Sequence, residues 1–283
     1  LHRVDRRQRQ MCIRDRSYGG ANSIRAYQGK VTNNGTINVS GGKANTGMVL
    51  IVDAGDNVTN TSNGTINVDS KAKKQNIAIR VEKGSTATDA PGTPKAINNG
   101  KIYLSGDSSM GLVSNDADIT NSAGAKIETV SGKTIINGIG IVNKGGNLEN
   151  NGKIELKGTG DSNNVGIYMT KGTNIPTGTS TGDITVTGNG STGVLITNGT
   201  LSYESGDIKV QGNGVTGMII GDDKTETATV NRTSGTASSI TVNNGTTSAG
   251  VYTDSAGKKR GSYGIIVGKN SIFNNKYTKV TAN

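Results

Sequence analysis

The sequence predicts an all-β protein, a right-handed three-faced parallel β-helix of about eight to nine coils. Three observations predict it: two short motifs recur in alternation, their apolar residues are spaced by two, and glycine and asparagine cluster between them. A spacing of two is the period of a strand whose alternate side chains face a core. Because one such repeat cannot bury its apolar face alone, the repeats must stack.

The first motif is a turn followed by Ile-x-(Val/Leu), as in NGTINVSG at 34–41 and NGKIELKG at 151–158. Seven steps separate its first isoleucine from its last, a mean spacing of about 29 residues. We expect these isoleucines to form one inward column, beside a second column of the valines and leucines two residues later. The isoleucine column comprises Ile37, Ile66, Ile102, Ile127, Ile154, Ile184, Ile208 and Ile240.

The second motif is glycine followed by an alternating apolar segment, with Ala78 in place of glycine in one copy. Its glycines are Gly47, Gly111, Gly138, Gly166, Gly193, Gly217, Gly250 and Gly264. A third, looser element is an apolar residue followed two positions later by asparagine. Its pairs are Val31 and Asn33, Val58 and Asn60, Ile97 and Asn99, Ile119 and Asn121, and Leu148 and Asn150. Together the three motifs predict three strands per coil. The Asn-Gly corners between faces are expected to need positive φ.

Irregular segments interrupt this pattern at 82–95, 171–181, 221–229 and 253–262. The chain's three prolines lie in the first two, which supports the strand assignment because proline cannot donate to a ladder. We expect any partner-specific function to depend on these segments.

The first 16 residues differ from everything that follows. They hold six arginines, two aspartates, and the only histidine and cysteine of the chain, His2 and Cys12. Their MCIRDR string resembles translated sequencing-adapter read-through, so we expect residues 1–16 to be non-native and residues 17–283 to be the β-helix. Without them the net charge of +10 falls to about +6 and is spread along the chain, which argues against nucleic-acid binding.

Two patterns suggest chemistry, and the repeat accounts for both. Gly106-Asp107-Ser108 resembles the nucleophile motif of serine proteases, but it aligns with 159–169 as a turn, and a serine protease needs a histidine base. Asp183 and Asp207 occupy equivalent turn positions of successive coils, where other coils have threonine or lysine. We therefore expect no catalytic residue, no cofactor and no metal.

Two charged segments are the candidate partner-binding residues. They are Asp222, Asp223 and Lys224 in one segment and Lys258, Lys259 and Arg260 in the other. Such residues can contact a partner protein or an anionic glycan, or they can simply keep a loop solvated.

The strings NNGTINVSG, NNGKIELKG and STGVLITNGT resemble the passenger repeats of Gram-negative type V autotransporters, adhesin-like ones especially. The resemblance covers residues 17–283. It implies an extracellular rod at the cell surface, secreted through an outer-membrane β-barrel that lies outside this sequence. It also implies attachment to host or bacterial surface proteins or glycans, or self-association.

The leading hypothesis is therefore an adhesive rod that is not an enzyme. The alternatives are a β-helical polysaccharide lyase or hydrolase, and a trimeric phage tailspike.

Overall fold

A computed structural model describes residues 22–26, 29–41, 45–52, 56–70, 75–83, 93–221, 226–232, 237–245, 251–253, 257, 259–276 and 278–283. These residues form strands and turns without any helix. Three of the sheets contain nine strands each, and every strand in them is parallel to its neighbours.

Sheet A consists of β1 (Asn22–Ala26), β4 (Thr46–Val52), β7 (Ile77–Lys83), β10 (Met110–Asn115), β13 (Ile139–Lys144), β16 (Val165–Thr170), β19 (Thr192–Ile196), β22 (Thr216–Ile220) and β27 (Tyr263–Val267). Sheet B consists of β2 (Val31–Asn33), β5 (Asn57–Asn60), β8 (Lys95–Asn98), β11 (Asp118–Asn121), β14 (Asn147–Asn150), β17 (Thr177–Ser180), β20 (Gly199–Tyr203), β23 (Ala228–Arg232) and β28 (Ile272–Asn275). Sheet C consists of β3 (Thr36–Gly41), β6 (Thr65–Ser70), β9 (Lys101–Leu104), β12 (Lys126–Thr129), β15 (Lys153–Leu156), β18 (Ile184–Thr187), β21 (Ile208–Gly212), β24 (Ser238–Asn244) and β29 (Thr278–Ala282).

One strand from each sheet makes a coil, so β1 to β3 form coil 1, β22 to β24 form coil 8, and β27 to β29 form coil 9. The two remaining strands, β25 (Val251–Thr253) and β26 (Lys259–Gly261), form an antiparallel hairpin between coils 8 and 9. The predicted three-faced parallel β-helix is confirmed, with nine coils. At one strand spacing per coil, its axis is about 40 Å long.

The inward columns of sheet C follow the predicted register. Ile37 pairs with Ile66, and the same column continues through every predicted isoleucine to Ile240 and then Val280. The isoleucines are buried along its whole length. Because burying one isoleucine side chain contributes about 1.5–3 kcal/mol, this column is a principal source of stability.

The glycine of sheet A is required by close packing against that column. A Cβ at Gly111 would lie 2.5 Å from the Gly140 carbonyl oxygen and 2.8 Å from Cγ2 of Ile127. The register aligns Gly140, not the predicted Gly138, with Gly111, because Ile139 pairs with Met110 and Ile141 with Leu112.

The copy predicted at Gly250 is also wrong. The strand that follows it belongs to the hairpin, and β22 pairs directly with β27 through Met218 and Ile265. The hairpin is therefore an insertion, and Gly264 supplies the sheet A glycine of coil 9.

An asparagine ladder runs inside the corner between sheets B and C. Nδ2 of Asn60 donates to Oδ1 of Asn98 at 2.9 Å, and Nδ2 of Asn98 donates to Oδ1 of Asn121 at 3.0 Å. The ladder begins at Asn33 and continues through Asn150 to Ser180. The predicted pair of Ile97 and Asn99 is therefore shifted by one residue, since Ala96 and Asn98 point inward.

Gly100 and Gly152 each follow a ladder asparagine by two residues. They leave room for an amide side chain of the ladder and do not need positive φ. A Cβ at Gly152 would lie 2.6 Å from Nδ2 of Asn121, and one at Gly100 would lie 2.8 Å from Nδ2 of Asn60. Neither glycine has positive φ, so the expectation of left-handed geometry is wrong for these two Asn-Gly corners. Positive φ does occur at other corners: at Gly124 and Gly206 between sheets B and C, at Gly199 between sheets A and B, and between sheets C and A at Ser108, Asn137, Asn163, Gly190 and Gly214.

Two predicted irregular segments contain ladder strands. Within 171–181, residues Thr177–Ser180 form β17, where Gly178 takes the inward place between Leu148 and Leu201. Within 221–229, Ala228 begins β23. Sequence patterning missed both because glycine and alanine replace the larger apolar residue there.

Coil 9 exposes apolar residues of the interior columns. Val267 and Val280 are 46% and 41% exposed, whereas Ile220 and Ile240, their column neighbours in coil 8, are fully buried. The surface of coil 9 that faces away from coil 8 is therefore partly apolar.

Candidate functional site

The predicted partner-binding residues are only partly described. Asp222, Asp223, Lys224 and Lys258 lie outside the described residues. Lys259 and Arg260 lie on β26, paired with Thr253 and Tyr252 of β25. Lys259 is exposed and Arg260 is half-buried. This basic pair therefore belongs to an insertion and to none of the three faces.

The Gly106-Asp107-Ser108 segment is a turn. Ser108 has φ of 59° and donates its backbone N–H to the Ile136 carbonyl oxygen at 2.7 Å, while the Asp107 carboxylate accepts the N–H of Ile136 at 3.0 Å. The corresponding residue two coils later, Asn163, has the same left-handed geometry. Asp107 and Ser108 thus hold one coil against the next.

Asp183 and Asp207 also link successive coils. Oδ1 of Asp183 accepts the N–H of Asp207 at 2.9 Å, and Oδ1 of Asp207 accepts both the N–H and the hydroxyl of Ser239. Hydrogen bonding from Ser239 lowers the pKa of Asp207, although partial burial opposes the shift. Each carboxylate is thus an acceptor in the turn of the next coil.

A shallow groove lies at the corner between sheets B and C, beside these aspartates. Its volume is about 280 Å³, and its lining includes Lys126, Lys153 and Asp183. Lys101, Lys126 and Lys153 follow one another in register, so three ammonium groups occupy successive coils. The sequence signal was lysine at one repeat position, which the sequence analysis identified only as a turn position.

The carboxylate of Glu155 partly neutralises the groove. It forms ion pairs with Lys153 and, at 2.9 Å, with Lys157. The hydrogen bond from Lys153 lowers the pKa of Glu155, and the same bond raises the pKa of Lys153. Since a raised pKa keeps Lys153 protonated, this lysine is suited to holding an anionic group and poorly suited to acting as a base.

A second site is the loop at 171–176, which Asp116 anchors. The Asp116 carboxylate accepts the backbone N–H groups of Thr173 at 3.1 Å and Asn174 at 2.8 Å. Burial by itself would raise the pKa of Asp116, but these hydrogen bonds outweigh it and lower the pKa. A Cβ at Gly172 would lie 2.6 Å from Oδ1 of Asp116, so the glycine leaves room for the carboxylate.

This anchored loop presents an exposed isoleucine. Ile175 is 63% exposed, the largest value among the exposed large apolar side chains of the described residues. Sequence analysis placed the loop among the irregular segments but missed Asp116, which is 57 residues from Thr173 in the chain.

The outer face of sheet A carries a further apolar column that the sequence analysis did not single out. Its members occupy the second position after the motif glycine and are half-buried against one another. They are Val113, Val142, Tyr168, Leu195, Ile219 and Ile266. Apolar neighbours on adjacent strands stabilise a sheet, so this column contributes to the stacking of coils 4 to 9.

Within the described residues, no group of three or more histidine, cysteine or carboxylate side chains could hold a metal ion. The described residues also include no helix of the length and apolarity needed to cross a membrane.

The chain matches one family model, that of the BigA third pectate lyase-like domain, over residues 13–235. The comparisons with curated proteins and with solved structures give no significant match. The match covers well over half of the chain and agrees with the three stacked parallel sheets. It indicates a bacterial surface protein with a pectate-lyase-like β-helix. The chain therefore belongs to the family of the BigA third pectate lyase-like domain.

Proposed function

We propose that this β-helix is a structural and adhesive rod on the outside of a bacterial cell, and that it attaches through loops between its strands. The carboxylates of Asp107, Asp183 and Asp207 are engaged between coils, which leaves them little capacity for catalysis. The loops, in contrast, present side chains that the coils do not need.

The observation that carries this proposal is the loop anchored by Asp116. Two backbone hydrogen bonds hold Thr173 and Asn174, and the next residue, Ile175, projects its side chain into solvent. An apolar side chain held in one conformation loses little entropy on binding, which favours its use as an anchor in a partner's pocket.

Binding of the purified chain to bacterial or host cells tests the proposal. Ile175→Asn is expected to reduce binding at least about tenfold, the loss of one anchor of about 1.4 kcal/mol. Ile136→Asn is the matched control, because Ile136 is also exposed, at 39%, on a different corner. Equal binding by wild type and Ile175→Asn would reject the loop as the attachment site.

The basic hairpin is a second contact in the same proposal. Lys259 and Arg260, with Lys258, can attract an anionic protein or glycan, and Asp222, Asp223 and Lys224 can contribute polar contacts. The double variant Lys259→Glu/Arg260→Glu is expected to weaken binding and remove part of its salt dependence. Unchanged salt dependence would exclude the hairpin from the interface.

We also propose that the rod is the passenger of a type V autotransporter of a Gram-negative bacterium. The repeat strings at 33–41, 150–158 and 191–200 support this assignment. The coding sequence downstream tests it: an outer-membrane barrel domain there would support the proposal, and a different anchoring domain would contradict it.

The second candidate function is a polysaccharide lyase or hydrolase. The groove with Lys126, Lys153 and Asp183, in a family described as pectate-lyase-like, favours it. Incubation with acidic polysaccharides tests it by the appearance of shortened chains. Turnover that Lys153→Met abolishes, with Lys279→Met at the same column position of coil 9 as control, would establish an enzyme and overturn the purely adhesive function.

A further inference from the structure

The outer side of sheet A carries two parallel columns of apolar side chains. The first is the column of half-buried residues that runs from Val113 to Ile266. The second lies three residues earlier in each strand, because the motif glycine and the residue after it are both buried. In coils 3 to 6 this second column consists of half-buried residues, Ile77, Met110, Ile139 and Val165. We call these ten side chains the outer apolar face.

No charged residue interrupts the outer apolar face in the described strands of coils 4 to 9. The first charged neighbour along the columns is Arg80 of coil 3, which pairs in register with Val113 and forms an ion pair with Glu82. In coils 7 to 9 the second column continues with uncharged residues, Thr192, Thr216 and Tyr263. The uncharged surface of sheet A thus extends over six successive coils.

The other two sheets of the same rod are polar on the outside. On sheet B the outward residues of coils 5 to 7 are Glu149, Thr179 and Ser202. On sheet C the outward residues of coils 3 to 5 are Lys101, Lys126 and Lys153. The stacking of coils is therefore compatible with polar outward residues and does not require an apolar face. Extended apolar patches on the surface of a soluble protein mark contact sites.

A second copy of the chain is the occupant that this face fits best. Interfaces between identical chains are more apolar and poorer in charge than the rest of a protein surface. A face without charges offers no electrostatic selection of a different partner, whereas two flat apolar sheets pack face to face at a separation of about 10 Å. Around a twofold axis the same patch serves on both chains.

The size of the face agrees with the centre of a dimer interface. Six coils spaced by about 4.8 Å and two columns with a combined width of roughly 15 Å give an apolar area of about 400 Å² per chain. A stable interface buries about 800 Å² per chain, with apolar residues at its centre and polar residues at its rim. Such a rim follows one side of the face, as the outward residues Asn115, Lys144 and Thr170.

We propose that the outer apolar face is a dimer interface, in which sheet A of one chain packs against sheet A of a second copy. Tyr168 and Leu195 lie at the middle of the longer column, so they lose the most contact with solvent and contribute most to association. Each dimer carries two loops that present Ile175, so attachment through these loops becomes bivalent. This last consequence rests on the proposed function, and the dimer itself does not.

Sedimentation of the full chain over a wide range of concentrations tests the proposal, with a reductant present so that Cys12 cannot join two chains. We expect an equilibrium between monomer and dimer. Leu195→Glu places a charge in the middle of the interface and should raise the dissociation constant of the dimer at least about tenfold. Ser202→Glu is the matched control and should leave the dimer unchanged, because Ser202 is a half-buried outward residue of the same coil on sheet B. A chain that stays monomeric up to about 0.1 mM, or a dimer that Leu195→Glu does not weaken, would overturn the proposal.

Oxidative footprinting of the wild-type chain locates the interface without any substitution. Met110 and Tyr168 should be oxidised at least about threefold more slowly in the dimer than in the dilute monomer, because the partner excludes solvent from them. Tyr103 is the control, since it is a half-buried outward tyrosine on sheet C, and its rate should not change. Equal protection of Tyr103 and Tyr168 would place the contact elsewhere and overturn the proposal.

Vesicles of phosphatidylcholine distinguish a second copy from a lipid surface as the occupant. A dimer of the full chain should not bind them, because its apolar faces are covered. A monomeric chain that binds these vesicles, and loses the binding in Leu195→Glu, would assign the face to a membrane and overturn the dimer.

Discussion

The guanidinium carbon of Arg232 lies 5.5 Å from the ring centroid of Tyr203, and Nη1 of Arg232 donates to the Tyr203 carbonyl oxygen at 3.1 Å. These two residues continue the column that the asparagine ladder occupies in earlier coils. Both are fully buried, and burial raises the pKa of Tyr203 to about 12. A cation packed on a ring thus replaces the amide ladder inside coils 7 and 8.

Removing this arginine should destabilise the C-terminal coils. Arg232→Ala leaves a cavity and removes the contact with Tyr203, so we expect a loss of about 2–5 kcal/mol in urea unfolding. Arg232→Met fills most of the volume without a buried charge, and exchanging buried ions for apolar residues is often neutral or stabilising. A larger loss for methionine than for alanine would contradict this account.

The asparagine ladder should be sensitive to single substitutions in its middle. Asn98→Ala leaves a donor of Asn60 and an acceptor of Asn121 buried without a partner, which costs about 2–4 kcal/mol. Asn67→Ala is the control, because Asn67 also donates to an asparagine of a neighbouring coil, Asn38 of the preceding coil, but on the exposed face. We expect Asn67→Ala to lower the free energy of unfolding by less than about 0.5 kcal/mol. Equal losses for the two variants would show that burial of the asparagine does not determine the cost.

The glycine of the sheet A motif should not tolerate a methyl group. Gly111→Ala would push its Cβ against the Gly140 carbonyl and Ile127, and such overpacking costs about 1–3 kcal/mol. At Gly35 a Cβ would meet nothing within 4 Å, so Gly35→Ala serves as the control in the same thermal unfolding measurement. An unfolding temperature unchanged by Gly111→Ala would contradict the close packing between adjacent coils at this position.

The anchored loop should loosen in acid. Because the pKa of Asp116 is lower in the folded than in the unfolded chain, its ionised form stabilises the fold at neutral pH, and this contribution is lost as the pH falls below about 4. Hydrogen exchange of the Thr173 and Asn174 amides should accelerate over that range. In Asp116→Asn these two amides should exchange faster at neutral pH, and their exchange should no longer show the acid-dependent acceleration. If the acceleration persists in this variant, a group other than Asp116 causes it.

Sequence patterning predicted the faces of the helix well and the corners poorly. The period of two set Ile154 and its column inward, because side chains alternate along any strand. At the corners the same reasoning misplaced Asn99 for Asn98, and it attributed Gly152 to positive φ where the cause is the close approach of Asn121. The inward position is easily misassigned by one residue where the inward apolar residue is only alanine, as at Ala96, and a larger apolar residue, Ile97, is next to it.

The candidate sites depended more strongly on contacts between distant residues. Nothing in the local sequence connects Asp116 with Thr173, or Lys126 and Lys153 from separate repeats with one groove. The basic residues Lys259 and Arg260 could be identified by charge, but their place on a hairpin inserted between coils could not.

The sequence by itself determined that Ile37, Ile66 and their successors stack in a parallel β-helix, because a short repeat with a period of two can bury its apolar residues only against copies of itself. The tertiary structure alone decided which amides form the interior ladder and that a hairpin is inserted between coils 8 and 9. These outcomes depend on the register between coils, and hydrogen bonds among residues about 25 to 60 positions apart set that register.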